Sequence, residues 1–94
     1  MGLTRQDIAA VLNAPGAKLD WAGADLTGLD LSQLDLSGAN FAGAKLERAN
    51  FFDCQLRNTN LSQTNLEQAN LSQANLSGAN IRGSNLSQDD MSEA

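Results

Sequence analysis

Few side chains here can do chemistry, and most of those are carboxylates. None of the 94 residues is His, which removes imidazole acid–base catalysis, His metal ligands and nucleophile–His pairs. The single Cys, Cys54, can form neither an internal disulfide nor a Cys-only zinc site, so nothing points to an oxidising compartment. Without His or a nearby Lys to lower its pKa, Cys54 reads as a small buried hydrophobe rather than a nucleophile. Asp20, Asp25, Asp30 and Asp35 recur at five-residue spacing. Converging on one pocket, such carboxylates could do acid–base work or hold a cation. A series of amides follows at Asn40, Asn50, Asn60, Asn65, Asn70, Asn75, Asn80 and Asn85. It could suggest a sugar- or ice-binding surface; bonding to the backbone or to a neighbouring rung is the plainer use. A net charge of −5 and a pI near 4.3 argue against nucleic acid or an anionic membrane as partner.

What these groups can do depends on the elements that hold them, and a repeat sets those. From Leu19 the chain reads LDWAG, ADLTG, LDLSQ, LDLSG, ANFAG and so on, fifteen units of five without an insertion. The middle residue is apolar every time: Trp21, Leu26, Leu31, Leu36, Phe41, Leu46, Phe51, Leu56, Leu61, Leu66, Leu71, Leu76, Ile81, Leu86 and Met91. The residue before it is Asp or Asn in thirteen units, with Lys45 and Gln55 the exceptions. The first residue is small in eleven, the exceptions being Leu19, Leu29, Leu34 and Asp89. On an α-helix, five residues advance by about 500°, which smears the apolar positions over every face. On a straight strand, an odd period flips them to alternate faces. A chain that turns a corner once per unit instead points every first and third residue inward. The corner falls at the fifth position, which holds six of the eight glycines.

The units fit the pattern A-(D/N)-L-x-x, and over 75 of 94 residues the chain resembles the pentapeptide-repeat proteins. The resemblance implies an all-β solenoid, a right-handed quadrilateral β-helix with four units per coil and therefore about 3.75 coils. Residues twenty apart then stack at about 4.8 Å. Asp20, Asp25, Asp30 and Asp35 become an outward ring, one per face, above Asn40, Lys45, Asn50 and Gln55. Divergent carboxylates make no acid–base pair; the ring serves solubility or an acidic docking surface. Phe52 is the one large apolar residue at an outward position, flanked by Ser32 and Ser72, either an ordinary exposed side chain or a contact point. Glu47 and Glu67 stack near Arg48, Arg57 and Arg82 lie elsewhere, and no basic track forms.

Residues 1–18 lie outside the repeat and 19–94 within it. Thr4 reads as an N-cap with Asp7 its acidic partner, and Leu3 with Ile8 as a hydrophobic staple. Ile8, Val11 and Leu12 share an apolar face, and Asn13 with Pro15-Gly16 ends the helix. So short a helix needs support, and Leu19, Leu29, Leu34 and Trp21 offer a floor beneath it. Nothing after Leu86 reads as a second cap, and Asp89 is a charge at an inward position. Either these acids simply terminate the solenoid, or Leu86, Asp89 and Met91 form an interface.

No nucleophile–base pair, metal spacing or phosphate loop occurs, and a filled solenoid offers no pocket. The expectation is a non-enzymatic scaffold or protein-interaction module, without cofactor. It would be cytoplasmic, binding another protein or pairing with its own copy through the C-terminal coil. No apolar run approaches the ~18 residues of a membrane span. The family resemblance supplies the alternative: some pentapeptide-repeat proteins imitate DNA and bind DNA gyrase. An acidic rod suits that role, although about 19 Å of solenoid is short for it.

Overall fold

Each five-residue unit hands its backbone polar groups to the units twenty residues away. In the computed structural model, which describes residues 3–94, second-position residues form parallel bridges in four ladders. These are Asp20–Asn40–Asn60–Asn80, Asp25–Lys45–Asn65–Asn85, Asp30–Asn50–Asn70–Asp90 and Asp35–Gln55–Asn75. Three bonds recur around each rung. Trp21 N–H donates to Asn40 O at 2.7 Å, Gly23 N–H to Ala42 O at 2.9 Å, and Asn40 N–H to Leu19 O at 2.8 Å. A fourth bond, such as Ala24 N–H to Trp21 O at 3.1 Å, closes the turn within the unit. Buried backbone is thus satisfied although the chain never runs straight for more than a few residues.

The fifth residue has a positive φ in every unit. Six are glycines, but nine are not, including Gln33 at 63°, Arg48 at 58° and Gln63 at 56°. Units without glycine therefore keep the same left-handed corner and carry its steric cost, roughly 1–2 kcal/mol each. The ladders and the core hold them there.

Inside, the middle residues from Leu26 to Leu71 are almost fully buried. Burying each contributes roughly 1.5–3 kcal/mol. Trp21 stacks on Phe41 with ring centroids 5.5 Å apart, and Phe41 meets Phe51 edge-on at 6.2 Å. Small first-position residues, Ala39, Ala44, Ala49, Cys54, Ala69 and Ala74, fill the corners between them. Thr59 and Thr64 sit at the same position, their hydroxyls donating to Leu56 O and Leu61 O at 2.9 Å.

Helix α1, Arg5–Leu12, covers the first coil. Its capping box is complete: Thr4 Oγ1 accepts from Asp7 N–H at 3.2 Å, and Asp7 Oδ2 accepts from Thr4 N–H at 2.8 Å. Ile8 is fully buried, and Leu3, Val11 and Leu12 pack with Leu19, Leu29 and Leu34 against the core. One contact was not anticipated from the sequence. The Arg5 guanidinium donates to Asp30 O at 2.8 Å and Ser32 O at 3.0 Å, and lies 3.5 Å from Asp30 Oδ1. It latches the helix to the first coil.

Two expectations need correction. The inner positions of the last coil do not all belong to the core: Ile81 is 39% and Met91 38% exposed, and Leu76 and Leu86 are half-buried. No described residue lies above them. Phe52, in contrast, is half-buried rather than free. Ser32 and Ser72 flank it twenty residues to either side, and other fourth-position residues such as Ala42, Glu47 and Ser62 are half-buried too.

Candidate functional site

The acidic ring lies where the spacing puts it, but its carboxylates are engaged by their own turns. The Oδ1 of Asp20, Asp25, Asp30 and Asp35 accepts the backbone N–H two residues on, at 3.1–3.2 Å. The hydroxyls of Thr27 and Ser32 add bonds of 2.7 Å to Asp25 and Asp30. Hydroxyl and then backbone donors hold the Asp25, Asp30 and Asp35 carboxyls below their ordinary range. The Asn series makes the same turn: Asn40 Oδ1 accepts from Ala42 N–H and Asn85 Oδ1 from Ser87 N–H, both at 3.0 Å. The amides also reach the next rung, as Asn40 Nδ2 does to Asp20 Oδ1 at 3.3 Å. The second position is therefore a turn-former, whether Asp or Asn fills it. Its carboxylates diverge over four ladders, and no pair converges for acid–base work.

Cys54 is buried, its thiol donating to Leu34 O at 3.1 Å, and burial pushes it up to about 12. It is not a thiolate near neutral pH. Among the described residues no group of three or more His, Cys, Asp or Glu could hold a metal ion. Among them no helix is long and apolar enough to cross a membrane either. A filled solenoid was expected to offer no pocket; the surface of the described residues nonetheless has open clefts. One of about 470 Å³ lies between the end of α1 and the first coil, lined by Val11, Leu12, Leu19, Asp35 and Ser37 among others. Another, of about 370 Å³, lies along the last coil beside Leu76 and Glu93.

The last coil gathers the remaining unusual features. In lower coils the central N–H donates to a carbonyl nineteen residues on, as Leu71 N–H does to Asp90 O at 2.7 Å. For Leu76, Ile81, Leu86 and Met91 no described residue stands at that place. Ile81 and Met91, at middle positions of this coil, are partly exposed. In the same coil Asp89 turns inward. Its Oδ1 accepts from Ala69 N–H at 2.9 Å, a donor shared with Leu66 O. Its Oδ2 is buried and has no partner. Burial pushes its carboxyl above the ordinary range, the opposite of Asp90, which the Ser92 N–H and hydroxyl hold below it. Sequence reasoning placed Leu86, Asp89 and Met91 together at this end; the orphaned oxygen carries no signal in the sequence.

Comparisons with known proteins agree with the geometry. A family model of pentapeptide repeats matches residues 22–54 and 49–88, in eight copies. The crystal structure of alr5209, a pentapeptide repeat protein from Nostoc PCC 7120, is 31% identical, with a TM-score of 0.69. The match covers 89% of this chain and 74% of that one. The pentapeptide repeat protein Rfr23 from the cyanobacterium Cyanothece 51142 is also 31% identical, with a TM-score of 0.61. There the match covers 86% of this chain but 60% of Rfr23, so the chain spans about three fifths of that relative. No curated protein matches the sequence.

Proposed function

The chain belongs to the pentapeptide-repeat family, and from that premise we propose a non-enzymatic protein-interaction module that docks through its C-terminal coil. In this reading the solenoid is a right-handed quadrilateral β-helix of about 3.75 coils, with α1 covering its first coil. The observation that carries the docking surface is the exposure of Ile81 and Met91, the only large hydrophobic residues so exposed among the described residues. The masked thiol of Cys54 and the divergent carboxylates support the absence of catalysis. The acidic DNA-mimic reading has less behind it, because the ring carboxylates serve their own turns on four separate ladders.

Photo-methionine provides the test, since the chain has two methionines and one of them is Met91. Irradiation in cells is expected to give a discrete protein adduct that disappears in Met91→Leu. Absence of any Met91-dependent adduct would overturn the proposal.

A further inference from the structure

Arg5 fills a place that the repeat offers once per unit. In the second coil, Asn50 O and Phe52 O accept from Leu31 N–H at 2.8 Å and Gln33 N–H at 2.9 Å, donors of the coil before. The first coil is preceded by α1 instead of a coil, so its equivalent carbonyls lack those donors. On one ladder the Arg5 guanidinium stands in for them. It bonds Asp30 O at 2.8 Å and Ser32 O at 3.0 Å, with Asp30 Oδ1 3.5 Å away. A planar fork of N–H donors suits two carbonyls and a carboxylate together.

Five residues on, the same arrangement recurs without a guanidinium. Asp35 and Ser37 correspond to Asp30 and Ser32. One coil down, their counterparts Gln55 O and Arg57 O accept from Leu36 N–H and Gly38 N–H, both at 2.8 Å. The two carboxylates are held alike, the Oδ1 of each accepting the N–H two residues on at 3.1 Å. No described residue donates to Asp35 O or Ser37 O, and Asp35 has no ion-pair partner among the described residues. Asp35 is exposed, and with Ser37 it lines the cleft of about 470 Å³ under the end of α1. The rest of that wall is apolar, including Val11, Leu12 and Leu19, so Asp35 is its one charge.

We infer that this cleft receives an arginine side chain of another protein. Its guanidinium bonds Asp35 O and Ser37 O beside the Asp35 carboxylate, as that of Arg5 does one unit earlier. Its aliphatic stem lies along Val11, Leu12 and Leu19. The model for the contact, Arg5, is itself borne on a polypeptide. The cleft also has the size of sites that hold more than one side chain, roughly 300–1,000 Å³, which leaves room for an apolar neighbour of the arginine. The site lies on the first coil, away from Ile81 and Met91, and stands independently of docking there.

The test titrates the whole chain with acetyl-Leu-Arg-Leu-amide and follows backbone amide resonances. Saturable shifts are expected at Val11, Leu19, Asp35 and Ser37. The citrulline twin, nearly the same shape without the charge, should bind roughly tenfold more weakly, the scale of one charge-assisted bond. Butylguanidinium, which has the head group and stem alone, should also bind roughly tenfold more weakly, since it buries no neighbouring leucine. Asp35→Asn should reduce arginine binding to about the citrulline level. It keeps the fold, because Asn40 makes the same turn. Asp25→Asn, the same change on a ladder away from the cleft, should leave binding unaltered. Equal affinity of the citrulline twin, or equal losses in Asp35→Asn and Asp25→Asn, overturns the inference. Butylguanidinium binding as tightly as the peptide overturns the protein partner in favour of a small alkylguanidine. Shifts confined to Ile81 and Met91 overturn it too, while leaving docking at the C-terminal coil intact.

Discussion

Gly38→Ala isolates the cost of a single corner. Gly38 has a φ of +79°, and an added Cβ there would meet nothing within 4 Å. No clash or lost packing contributes, so the loss is that of the left-handed backbone alone, roughly 1–2 kcal/mol. Alanine also narrows the unfolded ensemble, returning about 0.4–1 kcal/mol. The net destabilisation should be about 1 kcal/mol. In a domain of this size that is a fall in Tm of roughly 4–8 °C. Gln33→Ala is the control. Gln33 sits at the same corner with a φ of 63° but already bears a Cβ, so its replacement should change stability by less than about 0.5 kcal/mol. Gly78→Ala should cost more than Gly38→Ala, because the new Cβ would collide with the side-chain oxygen of Asn58. Urea titrations with a shared m-value read all three. A Gly38→Ala variant as stable as the parent would refute the left-handed corner. Equal losses in Gly38→Ala and Gln33→Ala would refute the claim that the backbone, not the side chain, sets the cost.

Further outcomes follow from the same contacts. Changing Asp20, Asp25, Asp30 and Asp35 together to Asn should preserve cooperative unfolding, because Asn40 and Asn85 already make the same turn; a non-cooperative melt would contradict that. The folded carboxyls of Asp25, Asp30, Asp35 and Asp90 lie below their ordinary value of 3.8, so they favour folding above that pH and lose this as pH falls through their lowered folded values. Asp89 has the reverse sign: its folded carboxyl is raised, so its contribution is present in acid and lost as pH rises, and Asp89→Ala should gain stability at pH 7 in denaturant titrations. Arg5→Ala should loosen the cap by about 1 kcal/mol, since its bonds to Asp30 O and Ser32 O are partly solvated, and hydrogen exchange at Ile8 should report it. Cys54 should stay unreactive toward a thiol reagent in the native state and react at once in denaturant.

Much of the fold was legible because one constraint repeats. The inward first and third positions and the capping helix with its Thr4–Asp7 box follow from residue type and spacing, whereas the twenty-residue stacking came with the resemblance to the pentapeptide-repeat proteins. What could not be read belongs to single side chains. The Arg5 latch joins residues 25 apart whose pairing no period announces. The sequence marks glycine at some corners, yet the φ of Gln33 or Arg48 shows that the others adopt the same shape at a cost. Phe52 reads as exposed by its position, but the flanking coils half cover it. Asp89 was visible as an inward charge, while its unpaired oxygen depends on geometry at the end of the stack.

The economy that makes this architecture legible also hides its function. Through most of the solenoid the first and third residues fill the interior, the second caps its own turn wherever it is Asp or Asn, and the fifth adopts a left-handed corner in every unit. Only the fourth position and the two ends are released from the fold's demands. The acidic ring falls in a constrained position, so its charges are explained by turn formation before any partner is invoked. Phe52 occupies the released fourth position but is partly covered. The N-terminal end is occupied by α1, whose latch and apolar face account for the departures at Leu19, Leu29 and Leu34. Asp89 departs from the repeat at an inward position: a charge where most units carry a small residue, with one oxygen accepting from Ala69 N–H and the other left unbonded.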